Sequence, residues 1–140
     1  MVIQFTTSEI EELKENLTQY APAQEALTNL EAQNGDAEAC FNHLWEKHNK
    51  QPVPIMAEGK SLWEVTLNVL KDELCGDDGF KAKAKQYLDN PKKTNAFSAL
   101  VGYVVGLTAF EAMPVTIVTI AVIYILKVGL KIFCEYTSNN

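Results

Sequence analysis

The stretch that decides the fold, residues 97–126, reads FSALVGYVVGLTAFEAMPVTIVTIAVIYIL and holds one charged residue, Glu111, in thirty positions. Pro114 divides it into two arms, because proline lacks the N–H that a helix interior requires. The first arm covers residues 97–110, and the second covers residues 115–134. Two consecutive apolar arms of this length predict a helical hairpin at the C-terminal end of the chain.

The second arm also permits a different secondary structure. Nine of the twelve residues from Val115 to Leu126 are β-branched, and such residues favour the pleated surface of a sheet. The evident partner for such a strand is the segment Val2–Thr6. A small α+β fold with a two-stranded element is therefore the minor alternative.

Three amphipathic helices are predicted before residue 50. The first covers about residues 8–20, because Ser8 and Glu11 have the spacing of a capping box. The second starts near Pro22 and stops at Asn34 and Gly35. The third follows Asp36, a favourable N-cap residue, and its apolar positions recur at helical intervals up to His48.

Two further helices are predicted between the first three and the apolar arms. Residues 49–59 contain two prolines and form an extended connector. Ser61 and Glu64 give a second capping-box spacing and start a helix that ends at Cys75 and Gly76. Residues 80–88 can form a short helix with three lysines.

Together these elements predict an all-α fold, a compact bundle of about six to seven helices with a strongly apolar C-terminal helical hairpin. A length of 140 residues is that of one domain. Within this single domain, 1–140, we distinguish acidic amphipathic helices (1–50), a proline-containing connector (51–59), amphipathic and basic helices (60–95) and the apolar hairpin (96–140).

The charge is distributed unevenly along the chain. The formal net charge is −6, and the sequence contains no arginine. Residues 1–95 hold 16 acidic residues and 10 lysines, whereas residues 96–140 hold two of each. An acidic chain without arginine argues against nucleic acid as a partner and against bidentate recognition of phosphate.

The three cysteines, Cys40, Cys75 and Cys134, lie 35 and 59 residues apart and form no CxxC motif. An odd number at this spacing predicts neither a disulfide framework nor a zinc site. We expect small buried or half-buried thiols in a reducing compartment. The N-terminal segment lacks the features of a secretory signal, so the expected location is cytoplasmic, with membrane association as a further possibility.

No motif in the sequence predicts catalysis. Residues 54–61 end in GKS like a phosphate-binding loop, but Pro54 replaces the first glycine and Ser61 is explained as a helix cap. His43 and His48 are five residues apart, a spacing that does not bring two imidazoles to one metal ion, and His48 is expected to pack at the helix end. We therefore predict no enzyme, no cofactor, no metal and no small-molecule substrate.

Several residues are candidates for packing against a membrane or another helix. Ser98, Gly102 and Gly106 recur at intervals of four and give the first arm a smooth face. The remaining candidates are the hairpin residues Glu111 and Pro114 and the flanking lysines Lys127 and Lys131. Trp45 and Trp63 lie on apolar helix faces and are expected in the core, with a partner surface as the alternative.

The layout of acidic helices followed by a lysine-flanked apolar hairpin resembles that of small membrane-active effectors and pore-forming helical domains. This resemblance implies a non-enzymatic helical effector or interaction protein whose hairpin is buried in the fold or engages a membrane or a partner. The alternative is a purely soluble α-helical adaptor that binds another protein. A protein partner or self-association is expected in both cases.

Overall fold

The computed structural model describes residues 4–55, 59–92, 94–107 and 113–137, and 75% of these described residues are helical. The eight helices in these ranges are α1 (Thr7–Asn16), α2 (Ala21–Ala32), α3 (Ala37–Asn49), α4 (Leu62–Leu74), α5 (Asp78–Asp89), α6 (Thr94–Val105), α7 (Val115–Val128) and α8 (Leu130–Thr137). The prediction of an all-α bundle is confirmed, with eight helices in place of six to seven. The α+β alternative is wrong, because no strand occurs in the described ranges and Gln4 pairs instead, in a single bridge, with Asp36.

Side-chain caps fix where the helices begin. Ser61 and Glu64 form the predicted capping box of α4, and Asp36 caps α3 as expected. The capping box of α1 is formed by Thr6 and Glu9, so its prediction at Ser8 is wrong. Ser8 already lies inside the helix, and an N-cap requires the extended backbone that Thr6 has, at φ −79° and ψ 160°.

The segment before α1 is held in place by the turn between α2 and α3. The N–H of Phe5 donates a hydrogen bond to the carbonyl oxygen of Gly35 at 2.9 Å. Gly35 has φ +82°, and a Cβ at this position would lie 2.0 Å from the Phe5 carbonyl oxygen. Only glycine allows this close approach, which sets the position from which α1 starts.

Helix α7 lies at the centre of the bundle and contacts α2, α3, α6 and α8. Nine of its residues are buried: Thr116, Ile117, Val118, Thr119, Ile120, Ala121, Val122, Ile123 and Ile125. A helix that is apolar on all sides is stabilised by packing on all sides, and this outweighs the weak strand preference of its β-branched residues. The buried hydroxyl of Thr119 donates to the carbonyl oxygen of Val115 at 2.8 Å, so it is satisfied within the helix.

The two apolar arms are shorter than predicted. Helix α6 ends at Val105 and not at residue 110, and the second arm divides at Gly129, whose φ of +94° ends α7 and separates it from α8. Pro114 immediately precedes α7, as predicted. Helices α6 and α7 contact each other, but Glu111 and the predicted hairpin tip lie outside the described residues, so the hairpin connection stays a prediction.

A membrane-spanning helix would have to be both long and strongly apolar. No helix in the described ranges meets both conditions.

A disulfide joins Cys75, which caps the end of α4, to Cys134 in α8, with a Cα–Cα distance of 5.8 Å. The prediction of three free thiols is therefore wrong for these two residues. The bonded cysteines are 59 residues apart, so no local sequence pattern could predict that they pair. Cys40 is free and buried, and its burial, together with the charge of Asp36, raises the pKa of its thiol to about 12.

Candidate apolar groove

A half-open groove with a volume of about 240 Å³ lies where α1, the end of α5, the start of α6 and the end of α7 meet. We call it the apolar groove. Its apolar walls are formed by Phe5, Leu13, Phe97, Ile123 and Leu126. Its polar rim is formed by Glu9, Glu12, Asn16 and Lys127, and its outer edge by Tyr87, Leu88 and Pro91.

Aromatic rings that pack against one another lie at the floor of the groove. Phe97 is fully buried, and its ring meets Tyr87 edge-on, with centroids 5.2 Å apart. On its other side Phe97 contacts Tyr20, with centroids 5.7 Å apart. Edge-to-face ring pairs of this kind add specificity to the burial of apolar area. The groove is thus a preformed feature of the core surface.

The rim of the groove carries an ion pair between Lys127 and Glu9. The ammonium of Lys127 contacts the Glu9 carboxylate and lies 5.4 Å from the centroid of the Phe5 ring. The other carboxylate oxygen of Glu9 accepts the N–H of Thr6 at 2.9 Å. The hydrogen bond from Lys127 and the backbone bond from Thr6 hold the pKa of Glu9 below its ordinary value. This pair connects α1 to α7 across the groove.

We expect Glu9→Gln to destabilise the protein by up to about 1 kcal/mol near pH 7, since the ion pair is partly exposed. The amide can still accept the Thr6 N–H, so the change removes mainly the charge. Because the folded pKa of Glu9 lies below the ordinary 4.5, its contribution is present above about pH 4.5 and is lost as the pH falls through the folded value.

Urea unfolding at pH 7 and at pH 3 measures this effect. Glu11→Gln is the matched control, because Glu11 is exposed on α1 and forms no ion pair with a described residue. A difference between the Glu9 variant and the wild type that is as large at pH 3 as at pH 7 would show that the charge of Glu9 does not contribute.

Helix α1 also places on the rim a carboxylate without an ion-pair partner among the described residues. Glu12 is exposed. Burial raises the pKa of the nearby Tyr87 phenol, and the charge of Glu12 adds to this effect. Beside Tyr87, the side chain of Leu88 is 57% exposed at the edge of the groove. An apolar cavity, an exposed leucine and a carboxylate that forms no ion pair with a described residue therefore lie next to one another.

The small-residue stripe predicted for helix packing faces outward. Gly102 and Gly106 are exposed, and a Cβ at Gly102 would have no neighbouring atom within 4 Å. Ser98 donates its hydroxyl to the carbonyl oxygen of Asn95 in the same helix. Among the described residues, neither glycine would bring a Cβ within 4 Å of another helix.

The other predicted site residues occupy different surroundings. Pro114 is half-buried at the start of α7, Lys131 is exposed on α8, and Lys127 lies on the rim of the groove. Trp63 is buried between Phe41 and Tyr124, with ring centroids 5.1 Å and 5.0 Å away. Trp63 therefore lies in the core, as expected, and not on a partner surface. Trp45 is half-buried against the same core.

A second polar cluster connects α2, α3 and α7. The Glu25 carboxylate contacts Lys47 at 3.0 Å and His48 at 3.1 Å, and it accepts the hydroxyl hydrogen of Thr116 at 3.0 Å. Desolvation raises the pKa of Glu25, but the bonds from Lys47 and Thr116 and the charge of His48 outweigh it and lower the pKa. The side chain of His48 is 30% exposed, and its polar contact with Glu25 connects the end of α3 to α2.

The described residues contain no group of three His, Cys, Asp or Glu side chains that could hold a metal ion. The predicted cap Ser61 starts α4, while part of the GKS loop, residues 56–58, lies outside the described residues.

Sequence reasoning missed the apolar groove because four separate helices contribute to it. The usable signals were Leu88, an apolar residue that falls outside the buried stripe of α5, and the excess of glutamates in α1. In comparisons with known proteins, no protein-family model, no curated protein and no solved structure matches this chain.

Proposed function

We propose that the protein is a non-enzymatic helical interaction protein that binds an apolar segment of a protein partner in the apolar groove. The observation that carries this proposal is the preformed apolar cavity of about 240 Å³ beside the exposed side chain of Leu88. Peptide-binding grooves of helical proteins commonly combine an apolar floor with a charged rim that orients the bound helix. The rim residues Glu9, Glu12 and Lys127 would serve that purpose.

The position of α7 favours this function over membrane insertion. Its apolar side chains already contact four other helices, and insertion would require α7 to leave these contacts. In the proposed function, the apolar C-terminal arms supply the core, and the groove supplies the binding surface. Engagement of a membrane is the alternative that the tests below distinguish.

The cytoplasmic location predicted from the sequence stays a prediction. It rested in part on three free thiols, and the Cys75–Cys134 disulfide removes that support. Disulfides persist mainly in oxidising compartments. We therefore propose that the folded protein acts where the disulfide stays oxidised.

Site-specific photo-crosslinking tests the proposed function. A photoreactive phenylalanine analogue at position 88 lies at the groove edge, and the same analogue at position 55 is the matched control, because Ile55 is 87% exposed and lies outside the groove. In extracts of the cells that make the protein, we expect a protein adduct at position 88 but not at position 55. We expect Glu12→Lys to suppress it.

Adducts of equal yield at both positions, or no protein adduct at position 88, would contradict the proposed function. Mass spectrometry identifies the crosslinked chain and therefore distinguishes a foreign partner from a second copy of the protein.

A further inference from the structure

The helix beside the apolar groove has an exposed basic stripe that ends in a leucine. Lys81, Lys85 and Leu88 occupy positions i, i+4 and i+7 of α5, which places them on one face of the helix, and all three are exposed. The neighbouring stripe, Phe80, Ala84 and Tyr87, is buried and anchors α5 to the core. The exposed side chain of Leu88 at the groove edge is thus preceded, on the same face of α5, by two exposed lysines.

The wall of the groove that α1 forms has the complementary charge. Helix α1 carries Glu12 on the rim and the exposed Glu11 and Glu15 beyond it, none in an ion pair with a described residue. The lysines of α1 and α7 near this wall, Lys14 and Lys127, are already paired with Glu31 and Glu9. The acidic wall therefore lacks a cationic partner within the described chain.

We propose that the occupant of the apolar groove is a second copy of this chain, related by a two-fold axis that crosses the groove. In this arrangement, Leu88 of each copy enters the cavity of the other, and Lys85 of each copy faces Glu12 of the other. Two-fold contacts are self-complementary, so both pairs form twice. The inference rests on the proposed function, because it takes the groove as the docking surface.

The charges argue for this occupant over others. A second copy supplies helix α5, whose exposed lysines and Leu88 complement the glutamates of α1 and the apolar groove. A surface of anionic lipid would be repelled by the glutamates of α1. A protein partner with a negatively charged surface is disfavoured for the same reason.

Sedimentation equilibrium of the purified, oxidised protein tests the inference. We expect the average mass to rise with concentration from that of the monomer toward twice that value, and to rise less at high salt. Leu88→Lys should give a monomer at all concentrations. Ile55→Lys, which changes an exposed apolar residue outside the groove, should leave the association unchanged.

A charge-exchange experiment checks the geometry. Glu12→Lys and Lys85→Glu should each weaken self-association by about tenfold, because each places two like-charged pairs across the contact. An equimolar mixture of the two variants should associate as the wild type does, since every pair is again of opposite charge. Circular dichroism of each variant checks that it folds.

Three results would overturn the inference: a wild-type protein that stays monomeric, a dimer unaffected by Leu88→Lys, or folded charge variants whose mixture does not regain association. A monomeric protein that still crosslinks to a foreign protein at position 88 would overturn this inference and leave the proposed function standing.

Discussion

Breaking the Cys75–Cys134 disulfide is expected to lower the free energy of unfolding by about 4 kcal/mol, because the bond closes a loop of 59 residues in the unfolded chain. The disulfide also joins α8 to the end of α4, in addition to the contacts that α8 makes with α4 and α7. Urea unfolding of the wild type with and without a dithiol reductant measures the difference.

The double variant Cys75→Ser and Cys134→Ser is the control for effects of the reductant itself. It should be as unstable as the reduced wild type, and the reductant should not change it further. Thiol titration checks the pairing: the unfolded, unreduced protein should expose one thiol, that of Cys40. Three reactive thiols before reduction would contradict the disulfide.

Truncating the centre of α7 is expected to destabilise the protein by about 3 kcal/mol. Ile120 is fully buried, and Ile120→Ala removes apolar contacts and leaves a cavity among the surrounding helices. The matched control is Val115→Ala in the same helix, because Val115 is 39% exposed and its truncation should cost well under 1 kcal/mol.

Urea unfolding of the two variants measures the difference. If both variants lost equally little free energy of unfolding, α7 would not be enclosed by the other helices in water. The comparison is informative because both changes shorten a β-branched side chain to alanine within one helix.

The sequence predicted most of the features that depend on neighbouring residues. The caps of α3 and α4 are local hydrogen bonds, so Asp36, Ser61 and Glu64 could be identified from spacing alone. Helix α1 shows the limit of this approach, because the spacings of Thr6 and Glu9 and of Ser8 and Glu11 are the same. The bond between Phe5 and Gly35, made across the fold, decides between them.

Features that depend on distant residues were not predictable in this way. The disulfide joins two cysteines that are 59 residues apart in sequence, and the apolar groove combines residues from α1, α5, α6 and α7. The break at Gly129 was missed because the apolar pattern continues across it, whereas the backbone takes a φ of +94° there. Such features arise from packing, which a single sequence does not reveal.

Hydrogen exchange of the α7 amides tests most directly the claim that the apolar segment forms the enclosed core of the helical bundle. The measurement compares residues 118–125 in lipid-free buffer with the same residues after addition of vesicles of mixed neutral and anionic phospholipid. We expect exchange in buffer to be as slow as global unfolding, because these amides lie in the enclosed helix, and vesicles to leave it unchanged. Rapid exchange in buffer that slows only when vesicles are added would contradict this claim.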